Sequence, residues 1–164
     1  MEIERKFLLD ANDIPYDKLR CLDFLLIKQF YIPSANKEER YREVMSLVNT
    51  TRFVWTIKEE TDLIIKREEE EKEISKEVFE ENLRNNPCNI LRKIRTVIKY
   101  EEFILFIDAY LDVNLCFLEI EFNTEERAMQ FIPYSWFGKE VTGVDEYKNY
   151  YLWSWLNEDG GINW

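Results

Sequence analysis

Carboxylates and cations recur two residues apart along this chain, and that spacing carries the first hint of chemistry. Glu2 and Glu4 form one Glu-x-Glu pair and Glu119 and Glu121 another. Between them lie Arg40-x-Arg42, Lys93-x-Arg95 and Lys58, while Lys6 follows Glu4 at the same interval. Residues two apart share a face of a β-strand, so each pair would point one way together. Glutamates 2, 4, 119 and 121, joined by Asp108, would form a set of hard oxygen ligands that suits Mg²⁺ or Mn²⁺ better than zinc or copper. Lys6, Arg40, Arg42, Lys58, Lys93 and Arg95 would add six fixed cations. A ligand matching both sets carries several negative charges and bridges a metal, as a polyphosphate chain or nucleoside triphosphate does. The arginine fork grips non-bridging oxygens bidentately, whereas lysine acts as a movable point charge.

Such a site needs strands to position it. Alternating segments fall near 1–9, 24–31, 39–48, 52–59, 63–74, 91–98, 102–111 and 117–123, which predicts eight strands. Helices are expected near 13–21, 75–86, 124–132 and 145–157, with Ser75 and Asp145 as N-caps of the second and fourth. The acidic run 68–73 reads as helix on composition alone. Within each strand an apolar face opposes a face of one dominant charge. Trp55 and Ile57 oppose Thr56 and Lys58, and Leu118, Ile120 and Phe122 oppose Glu119 and Glu121. Two arrangements satisfy this pattern. One is an open antiparallel sheet with its charges in water, which composition alone favours. The other is a sheet closed into a barrel with a charged lumen and helices packed outside. Acidic pairs on the first and last strands would repel one another unless a cation lay between them, and closure would bring those strands together.

The chain has 164 residues with a formal net charge of −11, room for a single domain over 1–164. That charge argues against nucleic-acid and anionic-membrane partners. It also repels anions at long range, but screening beyond about 8 Å leaves a local cationic field in control. No histidine is present, which removes Ser-His and Cys-His nucleophile systems. Cys21, Cys88 and Cys116 form no Cys-x-x-Cys pair and suggest a reducing compartment. The first residues lack an apolar signal segment and no run is long enough to span a bilayer, so a cytoplasmic location is expected.

Taken in order, the motifs resemble the CYTH superfamily, also called triphosphate tunnel metalloenzymes. Glu2, Glu4 and Lys6 match its opening E-x-E-x-K, Gln29-Phe30-Tyr31 its Q-x-Y, and Arg40-Tyr41-Arg42 its R-x-R. Thr56-Ile57-Lys58 is similar to T-[IV]-K, and Arg67, Glu69 and Glu71 to R-x-E-x-E. Lys93-Ile94-Arg95 is similar to K-x-R, followed by Asp108 and then Glu119-Ile120-Glu121. Gly138 to Thr142 and Tyr147-Lys148-Asn149 resemble the ending of short bacterial members. The resemblance covers about residues 1–152; Lys148 and the loop Asn49-Thr50-Thr51 depart from it, and the tail 153–164 lies beyond it.

The resemblance implies a mainly β, α+β fold, an eight-stranded antiparallel tunnel, and moves the acidic run 68–73 from helix to strand. It implies divalent-metal-dependent hydrolysis of a triphosphate, either inorganic tripolyphosphate or a nucleoside triphosphate. A class IV adenylate cyclase, a thiamine triphosphatase and a non-enzymatic polyphosphate-binding module are its rivals. Carried onto this chain, Lys6, Arg40, Arg42, Lys58, Arg67, Lys93 and Arg95 hold phosphates. Glu2, Glu4, Glu119 and Glu121 hold Mg²⁺ or Mn²⁺, with Asp108 near a second ion. Glu4 or Glu69 positions the attacking water or accepts its proton, and Tyr31 orients Lys6 or forms tunnel wall. Glu69 and Glu71 are equally suited to pairing with lumen cations. The aromatic segment Tyr150, Tyr151, Trp153 and Trp155 covers the barrel wall or, in the less favoured reading, meets a second copy in a homodimer.

Overall fold

The structure, a computed structural model, describes residues 1–34, 37–60 and 65–158. Eight strands form a closed antiparallel barrel: β1 (Glu2–Leu8), β2 (Arg20–Ile32), β3 (Glu38–Ser46), β4 (Arg52–Glu60), β5 (Lys66–Ile74), β6 (Leu91–Tyr100), β7 (Phe103–Tyr110) and β8 (Cys116–Glu121). Around the barrel the order is β1-β5-β4-β3-β2-β6-β7-β8. Closure excludes the open sheet. The acidic run belongs to β5; residues 63 and 64 of the expected strand lie outside the described residues, as do 159–164 of the tail.

Alternation sets what faces in. On β1 Glu2, Glu4 and Lys6 turn to the lumen, and Arg5 and Phe7 turn out. The outward faces of β1, β6, β7 and β8 supply Ile3, Phe7, Ile98, Leu105, Ile107, Leu118 and Ile120 to one core. Helix α2 (Glu125–Gln130) closes over it with Ala128, capped by Thr124, whose hydroxyl accepts from the Arg127 amide. A second core joins Phe30 and Tyr41 to Phe79, the buried residue of α1 (Lys76–Asn85). Ser75 caps α1 as expected, its hydroxyl accepting from the Val78 amide. Helix α3 (Asn149–Leu156) buries Leu152, Trp153 and Leu156 over one end of the barrel, where Tyr31 meets Tyr150 and Trp153 ring to ring. Of the aromatic segment, Tyr150 and Trp153 thus pack on the barrel, whereas Tyr151 stays exposed.

Two helix expectations fail. Residues 13–21 do not form an α-helix; short 3-10 turns at Ala11–Asp13 and Tyr16–Lys18 flank Pro15, and β2 already begins at Arg20. Pro15 lacks an amide and disfavours helical geometry in the residue before it. Asp145 caps no α-helix either. It opens a 3-10 turn, Asp145–Tyr147, and α3 starts later, at Asn149.

The segment between α2 and α3 is laced to β1. The amide of Gly138 donates to the Leu8 carbonyl at 2.9 Å, and that of Val141 to the Lys6 carbonyl at 2.8 Å. A Cβ at Gly138 would stand 2.4 Å from the Leu8 oxygen, so only glycine permits this approach. Arg5 donates from Nε and Nη2 to the two Glu140 oxygens at 2.8 and 2.7 Å, and from Nη1 to the last carbonyls around α2. The strap 138–147 is thereby drawn across the lumen.

Candidate active site

The lumen is a cavity of about 740 Å³ whose walls come from β1, β2, β3, β4, β5, β6, β8, the strap and the start of α3. Cross-strand register decides which charges meet. Glu4 lies opposite Glu121, an arrangement of like charges, whereas Lys6 lies opposite Glu119. Lys58 lies opposite Glu69, and Arg95 opposite Asp108. One oxygen each from Glu2, Glu4 and Glu121 falls within 4.8 Å of the others. Burial, then the charges of Glu119 and Glu2, push the Glu4 carboxyl up to about 8. Burial raises Glu2 too, but Lys58, donating at 2.7 and 2.9 Å, outweighs it and holds Glu2 down to about 2. Three crowded carboxylates of this kind form a hard, acidic oxygen set that a divalent cation would relieve. The donor set fits Mg²⁺ or Mn²⁺.

Arginines share this cavity. Arg40, Arg42 and Arg67 line the cavity, and the Nε–H of each is buried without an acceptor among the described residues. Buried donors left unmade are costly, so the geometry is preset for an anion. Burial and the charge of Arg40 press Arg42 down to about 9, against the pull of the Glu71 carboxylate, which accepts from it at 2.9 Å. Arg67 is also paired with Glu38 at 2.7 Å. Lys58 completes the wall, 8% exposed and held between Glu2 and Glu69.

The remaining expected residues separate into two groups. Lys6, Tyr31, Glu69, Arg95 and Glu119 also line the cavity. Lys6 donates to the Tyr147 carbonyl at 2.7 Å and stands 3.7 Å from Glu119. Tyr31 takes the Gln29 amide at 3.0 Å, and burial pushes its phenol up to about 12, which keeps it a proton donor at neutral pH. Burial raises Glu69 as well. Glu119 accepts from Arg95 Nη2 at 2.9 Å; it lies outside the 4.8 Å trio, although its charge is felt by Glu4 and Glu121. Lys93 and Asp108, each 1% exposed, sit behind Arg95 rather than on the cavity wall. Both Asp108 oxygens are taken: Arg95 Nε donates to one at 2.7 Å, and Arg95 Nη2 and Lys93 donate to the other at 2.8 and 2.9 Å. Burial opposes ionisation of Asp108, but these cations win and hold its carboxyl well below the usual range.

The sequence reading passed over other lining groups. Glu38 shares a face with Arg40 and Arg42 at the same two-residue spacing, a signal that was available. Thr142 and Asp145 reach the lumen because the strap crosses it, and Lys148 and Asn149 because α3 begins there, which no local periodicity announces.

A closed antiparallel barrel whose lumen holds both buried arginines and a carboxylate trio defines a tunnel-type site. The CYTH domain pattern matches residues 1–131, and the chain belongs to that family. It is 33% identical over 153 residues to an inorganic triphosphatase of Nitrosomonas europaea, across 90% of this chain and 93% of the relative. A crystal structure of an inorganic triphosphatase superposes with a TM-score of 0.62 at 29% identity, covering 93% of this chain and 94% of its own. A putative adenylate cyclase of Bacillus halodurans shares the fold, with a TM-score of 0.55 at 21% identity over 79% of this chain and 84% of its own. No helix among the described residues is long and apolar enough to cross a membrane.

Proposed function

We propose that this protein is a divalent-metal-dependent triphosphatase that hydrolyses a terminal phosphate from inorganic tripolyphosphate or a related triphosphate. The observation that carries the reading is one cavity that holds both three arginines whose buried Nε–H groups lack acceptors among the described residues and three carboxylates gathered within 4.8 Å. A linear triphosphate supplies oxygens for the first set and a cation-bridging chain for the second. The name borne by the Nitrosomonas relative supports the same assignment.

Mg²⁺ or Mn²⁺ would be held by Glu2, Glu4 and Glu121; when bound, such an ion supplies Lewis acidity at the phosphate oxygens. The rest of the work falls to the chain. Arg40, Arg42 and Arg67 bind and orient the phosphates, and Lys6, Lys58 and Arg95 add fixed positive charge. Those cations neutralise charge that spreads over the transferring phosphoryl oxygens. Glu69, raised by burial and placed opposite Lys58, is suited to orient the attacking water and take its proton. Glu4 is the second candidate for that role, and Tyr31 donates a hydrogen bond to the chain of phosphates. The strap, pinned to β1 through Lys6, limits entry of bulk water.

Cyclisation of ATP would demand a platform for a purine. The aromatic rings lining the lumen are Tyr31 and Tyr147, and both already pack against other rings: Tyr31 on Tyr150 and Trp153, Tyr147 on Phe117. A pure polyphosphate-binding module would have no use for the carboxylate trio. Phosphate release should be assayed from tripolyphosphate, ATP and thiamine triphosphate, with Mg²⁺ and with Mn²⁺, beside cyclic AMP formation. Orthophosphate from tripolyphosphate is the expected product. Cyclic AMP as the main product, or no turnover of any triphosphate, would overturn the proposal.

A further inference from the structure

The first residue of α3 is joined to the lumen by a buried relay. Asn149 Oδ1 accepts from Lys93 Nζ at 3.3 Å and from the Tyr110 hydroxyl. Lys93 donates onward to Asp108 Oδ2, and Asp108 grips Arg95 through both of its oxygens. Lys93 and Asp108 are each 1% exposed, so water offers neither a substitute partner. Beyond Asp108, Arg95 donates to Glu119 and rests over the Phe106 ring at 4.7 Å, its guanidinium at the cavity wall.

We infer that Asn149 is a positioning residue that sets the orientation of Arg95 through Lys93 and Asp108. The inference rests on the reading of the lumen as the triphosphate site. An ammonium has three protons to place. Lys93 directs one to Asp108 and one to Asn149, and its charge lies over the Tyr110 ring at 5.6 Å. Without the Asn149 oxygen, a buried proton of Lys93 loses its acceptor, and the ammonium must turn toward the nearest remaining one. Its bond to Asp108 then turns with it, and any shift there is felt at once by Arg95, because a planar fork bound bidentately has one good geometry. Asn149 also begins the helix that covers the barrel end. Tyr110 is the contrast. Its hydroxyl anchors Asn149 but makes no bond in the Lys93–Asp108–Arg95 chain, so its loss should loosen α3 and leave Arg95 in place.

Side-chain ¹⁵N spectra of the full protein read this directly, with the Arg95 Nε–H signal assigned by its loss in Arg95→Lys. Asn149→Ala should displace or broaden that signal and raise the KM for tripolyphosphate about tenfold, the scale of one lost buried hydrogen bond, with a smaller change in kcat. Tyr110→Phe should leave the signal in place and KM within about twofold while lowering Tm. Added to Asp108→Asn, Asn149→Ala should cost nothing further, since the link it acts through is already cut. Should Asn149→Ala not fold, Lys93→Met breaks the same link and must displace the same signal. An unmoved Arg95 signal in the folded variant, or costs that multiply with those of Asp108→Asn, would overturn the inference. A wild-type protein inactive on triphosphates would instead overturn the reading of the site and leave the spectral result standing.

Discussion

Glu4 sits where like charge is densest, opposite Glu121 and beside Glu2. Glu4→Gln keeps the shape and removes a negative ligand from the trio. It should lower kcat on tripolyphosphate by on the order of 10²–10³-fold, the scale of a lost Lewis-acid contact, while KM changes little. Steady-state phosphate release separates the two parameters, and a rise in KM at unchanged kcat would assign Glu4 to simple substrate binding. Both Glu-x-Glu pairs were legible in the sequence, because spacing fixes a face. Spacing does not fix depth along a barrel. Glu119 and Asp108 share the lumen-facing pattern, but register sets them opposite Lys6 and Arg95, where cations occupy them. Only the pairing of distant strands separates the acidic trio from these salt-bridged carboxylates.

At the scale of elements, the strands were readable because alternation is local, whereas the covering pieces were not. Residues 13–21 carry enough apolar side chains for a helix, yet Pro15 and the early start of β2 leave room for 3-10 turns alone. The strap 138–147 shows no periodicity; its position comes from hydrogen bonds to β1 and from the Arg5–Glu140 clasp. That clasp gives a pH prediction. Hydrogen bonding to Arg5 holds the Glu140 carboxyl below its ordinary value of 4.5 despite partial burial. A depressed folded-state pKa contributes stability above the unfolded value that is lost as pH falls through the folded one. Glu140 is 37% exposed, so solvent screening limits the contribution to under ~1 kcal/mol. Glu140→Gln should therefore lower Tm by at most about 2–4 °C at neutral pH. The difference from wild type should shrink as pH falls below 4.5, as read by thermal unfolding at a series of pH values. A gap that stays constant in acid would show that Glu140 acts through packing instead of charge.

For the whole molecule the governing fact is a division of charge. The chain carries −11 overall, yet Lys6, Arg40, Arg42, Lys58, Arg67 and Arg95 face the lumen, where Arg40, Arg42 and Arg67 retain unused donors. An acidic exterior limits binding of nucleic acids, and the enclosed cationic wall selects a small, densely charged anion that can enter a cavity of about 740 Å³. Closure turns eight ordinary amphipathic strands into a site, and nothing short of closure would bring Glu2 of the first strand to Glu121 of the last. Co-crystallisation of the Glu4→Gln variant or the wild type with Mn²⁺ and tripolyphosphate, with anomalous scattering to locate the ion, tests this most directly. The expected result is a triphosphate in hydrogen-bond contact with Arg40, Arg42 and Arg67, and in the wild type a manganese peak among Glu2, Glu4 and Glu121. Both ligands bound outside the barrel, or a lumen empty of them at saturating concentration, would contradict the account.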